Sequence, residues 1–186
     1  QRYHPSMKFA AGPRREIGIR TVFNILGPLT NPAGATAQVI GVADPSMAPK
    51  MAEVLGRLGS VRALVVHGAD GLDEITLSDE TRVWEFHNGD TTEYSISPDE
   101  LGFDRASGEE LRTGSVDEST AILRGVLDGN RGPARDVVLI NAAASLLAAD
   151  AVTTMEDGIS AAAESIDSGT AKASLEALVE LSQKLE

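Results

Sequence analysis

The sequence predicts an α/β fold in which a parallel β-α-β unit leads into an antiparallel hairpin and then a run of helices. Three observations carry that prediction. Two short apolar, β-branched runs at residues 36–43 and 61–68 bracket an amphipathic stretch at 46–58. Buried strands around a helix of that length form a parallel pair with a right-handed crossover. Residues 74–97 alternate polar with apolar and contain Asn88-Gly89, the pair favoured in two-residue hairpin turns. Beyond them, helical periodicity marks 117–127, 133–149, 155–167 and 170–185.

The elements follow in order. Pro13 suits a first helical position, so a short helix is expected from about that residue, with one or two further turns before it. Thr21 can cap "VFNIL", and Gly27 then stands where a left-handed residue ends a helix. The run "TAQVIGVA" is a buried strand, Ser46 is a candidate cap for the helix at 46–58, and "VRALVVHG" is the second strand. The segment 97–110, "SPDELGFDRASGEE", reads as loop. No internal repeat, low-complexity tract or interdomain linker interrupts the chain, so residues 1–186 read as a single α/β unit.

Composition narrows the function. The 186 residues suffice for a real core, and with aromatics at only 4% that core must be aliphatic and alanine-rich. The chain has no cysteine, which excludes a disulfide framework and thiolate metal sites and fits a reducing, cytoplasmic setting. No apolar run reaches the length of a membrane span, and "QRYHPSMK" is not a signal peptide. The start lacks an initiator methionine, so Gln1 reads as a place where a longer chain was cut. Net charge is −12, yet residues 1–43 carry +4 and the remaining 143 carry −16. A globally acidic chain repels polyanions and disfavours nucleic acid, while a local basic island can hold a small carboxylate or phosphate.

Three constellations could carry chemistry. In "HPSMKFAAGPRRE", Arg14 and Arg15 open a predicted helix, where a guanidinium adds a forked donor for an anion; a solvated basic turn accounts for the same residues. In "GPLTNP", Gly27 removes side-chain bulk and Pro28 fixes the backbone, making a stiff, bare surface for a flat ligand. A helix stop followed by a turn explains that motif equally. In "HGADGLDEIT", the second strand runs into adjacent acids Asp73 and Glu74. Ligands gather beyond the carboxyl ends of parallel strands, and paired carboxylates there suit Mg²⁺; an Asx turn with solvated acids is the alternative. His67 reads as structural and His87 as surface. Zinc-type spacing, a phosphate-binding glycine loop and a nucleophile elbow are all absent from the sequence.

In this order, "HPSMK", "RREIGIRTVFNILGPLTNPAG", "VVHGADGLDEIT" and "RDVVLINAAASLLAA" resemble the anthranilate phosphoribosyltransferases of tryptophan biosynthesis. The resemblance runs from end to end. It implies the C-terminal part of the large domain of a type III phosphoribosyltransferase, a mixed sheet flanked by helices, here as one incomplete α/β domain. It implies transfer of phosphoribose from phosphoribosyl pyrophosphate (PRPP) to the amine of anthranilate, with Mg²⁺ and release of pyrophosphate. By motif match, Arg14 would face the anthranilate carboxylate, and His4 and Met7 would line its approach. Gly27 and Pro28 would flank the ring, and Asp73 and Glu74 would hold Mg²⁺. No residue is assigned as a covalent or acid–base catalyst. The family's glycine-rich pyrophosphate loop and its helical dimerisation domain should precede Gln1. The expected parent is therefore a homodimer, this chain alone is expected to be inactive, and open strand edges or apolar faces are expected. Pyrimidine nucleoside phosphorylases share the fold and are the alternative enzyme class; a nucleic-acid-binding paralogue is the non-enzymatic one.

Overall fold

The computed structural model describes residues 7–18 and 23–184. Helices α1 (Met7–Ile17) and α2 (Phe23–Leu29) come first. Both correct the sequence reading. Pro13 lies inside α1 rather than at its start, so one continuous helix replaces the expected break. Gly27 and Pro28 lie inside α2, and Gly27 has no positive φ, so it does not end the helix. The turn comes later, where Thr30 Oγ1 donates to Leu26 O at 2.7 Å and Ala33 N donates to Asn31 Oδ1 at 3.0 Å. The proposed cap at Thr21 lies outside the described residues.

Strand β1 (Ala37–Gly41), helix α3 (Ala48–Arg57) and strand β2 (Arg62–Gly68) form the predicted unit, with β1 and β2 parallel. The α3 cap differs from expectation. Asp44, not Ser46, turns the chain: its Oδ1 accepts from Ser46 N at 3.0 Å and Ser46 Oγ at 2.7 Å, starting a 3₁₀ turn at Pro45–Met47. Strands β3 (Thr81–His87) and β4 (Asp90–Ile96) add antiparallel, giving the order β1-β2-β3-β4. Asn88 and Gly89 take φ of 53° and 91°, the paired left-handed geometry that matches a hairpin's twist. Among the described residues β1 pairs only with β2, so no strand occupies its other edge.

Helices α4 (Val116–Leu127), α5 (Pro133–Ala148), α6 (Met155–Asp167) and α7 (Thr170–Lys184) complete the chain within a residue or so of their predicted bounds. Alternation along β2 divides the core. Leu64 and Val66 face a cluster with Val83, Ile140, Ala143 and Leu147, on the α5 side of the sheet. Ala63 and Val65 face the other side with Ile40, Trp84 and the α3 residues Met51, Ala52 and Leu55. Helices therefore cover both faces of β2, as a near-continuous apolar strand requires. Val116, Leu123 and Val138 stand exposed on α4 and α5. Among the described residues, no helix is long and apolar enough to cross a membrane.

Candidate active site

The site is built where β1 and β2 end side by side. Val42 N, just beyond β1, donates to Val66 O at 3.0 Å. His67, near the end of β2, donates from Nδ1 to Val42 O at 2.7 Å, so it braces the two strand ends, the structural role its position suggested. The chain leaves β2 in a tight turn. Gly68 N donates to Leu72 O, Gly71 adopts a φ of 92°, and Asp70 Oδ1 accepts from Leu72 N at 3.1 Å. This is the Asx turn weighed from the sequence. The Asp70 carboxylate also accepts hydrogen bonds from the Thr76 hydroxyl, at 2.7 Å, and from the Ser78 hydroxyl. Burial works to raise its pKa, but the Ser78, Thr76 and Leu72 donors outweigh it and hold the carboxyl below its ordinary range.

Asp70 is thus committed to its own loop. Asp73 and Glu74 are not: both are exposed at the crest, and among the described residues no hydrogen-bond donor occupies either carboxylate. Partial burial raises the Glu74 pKa, and the adjacent Asp73 charge raises it further. Two neighbouring, uncommitted carboxylates concentrate negative charge that a cation can bridge to a ligand. The described residues contain no cluster of three or more His, Cys, Asp or Glu that could hold a metal ion. A cation here would take its remaining oxygens from ligand and water, the habit of Mg²⁺ rather than of Ca²⁺ or Zn²⁺. The donor set therefore fits Mg²⁺.

Two further residues shape this crest and had no assigned role in the sequence reading. Gly41 closes β1, and a Cβ built on it would overlap the Asp73 carbonyl oxygen and stand 2.5 Å from the carbonyl carbon. Asn141 of α5 accepts from Ile75 N at 3.0 Å through Oδ1 and donates through Nδ2 to Ile75 O and Val137 O, both at 2.9 Å. Each carried a sequence signal: a glycine within a strand marks close backbone approach, and a lone asparagine in an apolar helix must find partners.

The remaining candidates lie on the two leading helices. Gly27 is exposed and Pro28 half-buried on α2, while Leu29 anchors that helix to the cluster shared by β1 and α3. Among the described residues, a Cβ on Gly27 would meet nothing within 4 Å. Gly27 and Pro28 therefore present their bare surface from within a helix, not from the turn after a helix stop. Met7 and Arg14 lie on α1, with side chains outside the described residues, as is the whole of His4.

The chain is similar to known proteins over nearly its whole length. The sequence model described as "Glycosyl transferase family, a/b domain" matches residues 1–172. The anthranilate phosphoribosyltransferase of Moorella thermoacetica is 54% identical over 177 residues, which are 95% of this chain and 52% of that protein. The crystal structure of anthranilate phosphoribosyltransferase from Thermus thermophilus superposes with a TM-score of 0.87 at 45% identity, covering 95% of this chain and 52% of the other. The Saccharomyces cerevisiae enzyme in complex with PRPP and Mg gives 0.85 at 30% identity, covering 93% and 50%. The chain spans about half the length of the curated relatives it matches.

Proposed function

The chain belongs to the glycosyl transferase family, a/b domain, and from that membership we propose that it supplies the acceptor and metal side of an anthranilate phosphoribosyltransferase site. The reaction moves phosphoribose from PRPP to the amine of anthranilate and releases pyrophosphate. The C1–O bond to pyrophosphate breaks, a C1–N bond forms, and the amine's proton passes to solvent. The single observation that carries the reading is the exposed, uncommitted Asp73–Glu74 pair at the carboxyl ends of two parallel strands. The four matching motifs and the likeness to relatives of that activity support it.

Each residue then has a defined task. Asp73 and Glu74 would hold Mg²⁺, which when bound neutralises charge on the departing pyrophosphate. The Arg14 guanidinium grips the anthranilate carboxylate as a forked donor, fixing where the amine lies. His4 and Met7 line the approach. Gly27 and Pro28 flank the ring, and the space at Gly27 supports that role: among the described residues nothing crowds a Cβ there, and its backbone is not left-handed. The amine attacks as it stands, so the chain needs no covalent nucleophile. A cytoplasmic setting and a homodimeric parent belong to the same reading.

The test is anthranilate consumption, followed by loss of its fluorescence with PRPP and Mg²⁺, in the protein carrying this chain. Arg14→Ala should raise KM for anthranilate by at least the tenfold that about 1.4 kcal/mol of lost charge-assisted bonding implies, and leave KM for PRPP near its wild-type value. Equal effects on both substrates would remove Arg14 from this role. Phosphorolysis of a pyrimidine nucleoside without anthranilate turnover would replace the reading altogether.

A further inference from the structure

The acid pair is exposed, yet the backbone on both sides of it is fixed from a distance. On one side, the Asp73 carbonyl lies against Gly41 in space that any larger residue would fill. On the other, Ile75 is fully buried, and both its backbone polar groups are satisfied by a single side chain, that of Asn141 on α5. Among the described residues no strand pairs with Ile75 to serve instead; the amide of Asn141 does what a neighbouring strand would do. Its third bond, to Val137 O, ties the amide back to its own helix, so the grip has one orientation. Asp73 and Glu74 thus bridge two anchors, one on the sheet and one on the helix layer.

We propose that Gly41 and Asn141 are positioning residues for the Asp73–Glu74 pair: together they clamp its backbone so that both carboxylates point out beyond the strand ends toward the metal. The proposal rests on the functional reading above and deepens it. Neither residue is assigned to hold metal or substrate. Gly41 acts by being absent in bulk, and Asn141 acts through Ile75. A residue that orients a ligand in this way influences metal affinity by about 10- to 100-fold when removed.

The experiment measures Mn²⁺ binding by electron paramagnetic resonance, together with hydrogen exchange at the Ile75 amide. The proteins compared are wild type, Asn141→Ala, Gly41→Ala and Asp73→Asn. Asn141→Ala should speed Ile75 exchange and weaken Mn²⁺ binding about tenfold. Gly41→Ala should weaken Mn²⁺ binding by a similar factor while Ile75 exchange stays at the wild-type rate, because its grip comes from the other side. A purely structural role would alter thermal stability and leave Mn²⁺ affinity unchanged in the folded variants. If Asn141→Ala fails to fold, Gly41→Ala decides alone. Wild-type Mn²⁺ affinity in the folded clamp variants, with loss in Asp73→Asn, overturns the clamp and leaves the functional reading standing. Wild-type affinity in Asp73→Asn overturns the reading itself.

Discussion

Arg62→Ala should destabilise the protein by about 3–5 kcal/mol, because Arg62 joins the sheet to the helix that carries Asn141. Its Nε donates to Glu85 Oε1 at 2.6 Å, and its Nη1 donates to Leu147 O and Asp150 Oδ1, both at 2.8 Å. The Arg62 and Glu85 side chains are each 11% exposed. Removing one partner of a buried pair costs about 3–5 kcal/mol, chiefly because the other charge is left uncompensated. Three features fix where this pair falls. Arg62 and Glu85 each keep a slight exposure, which lowers the cost. Asp150 is half exposed, so its loss adds at most about 1 kcal/mol. Leu147 O, near the end of α5, loses its donor, worth about 1 kcal/mol. Urea unfolding should show a lower midpoint with an unchanged slope, since the surface exposed on unfolding is the same. Adding Glu85→Leu to Arg62→Met should recover most of the loss, because an apolar pair needs no compensation. A loss under about 1 kcal/mol for Arg62→Ala, or a double variant as unstable as the single, would refute this account.

Three further outcomes follow from the same geometry. Asp70 has a depressed pKa in the fold, so its stabilisation is complete above the unfolded value of about 3.9 and disappears as pH falls through the lower folded value. The stability gap between wild type and Asp70→Asn should therefore shrink steadily below about pH 4 in pH-dependent urea titrations. Gly27→Ala should stabilise α2 by up to about 1 kcal/mol, since its Cβ meets nothing among the described residues, and still raise KM for anthranilate. Thermal unfolding and steady-state kinetics on one sample read both. Gly158→Val should cost about 2–3 kcal/mol in urea unfolding, because even a Cβ there lies 2.9 Å from Ala143 Cα, where α6 crosses α5.

Local chemistry made much of the fold legible. The β-branched runs around α3 specified the parallel pair, Asn88-Gly89 specified the hairpin, and periodicity placed α4 to α7. The misreadings came where a local rule met a competing local bond or a longer helix. Ser46 resembled a cap, but Asp44 reaches both its amide and its hydroxyl and so turns the chain two residues earlier. Pro13 and Pro28 resembled boundaries, yet α1 and α2 run through them. At the site, the paired acids were readable because they are adjacent in the chain. The grip on them was not, because Asn141 lies 66 residues from Ile75 and Gly41 meets Asp73 only after β1 and β2 align. Contacts set by topology leave only a faint mark in local sequence: one polar residue among alanines, one glycine in a strand.

The most direct measurement is an anomalous difference map from crystals of the protein grown with Mn²⁺ and PRPP. The account predicts a manganese peak bound by the Asp73 and Glu74 carboxylates, with phosphate oxygens completing its shell. A fully occupied peak elsewhere, with both carboxylates bare, would contradict it.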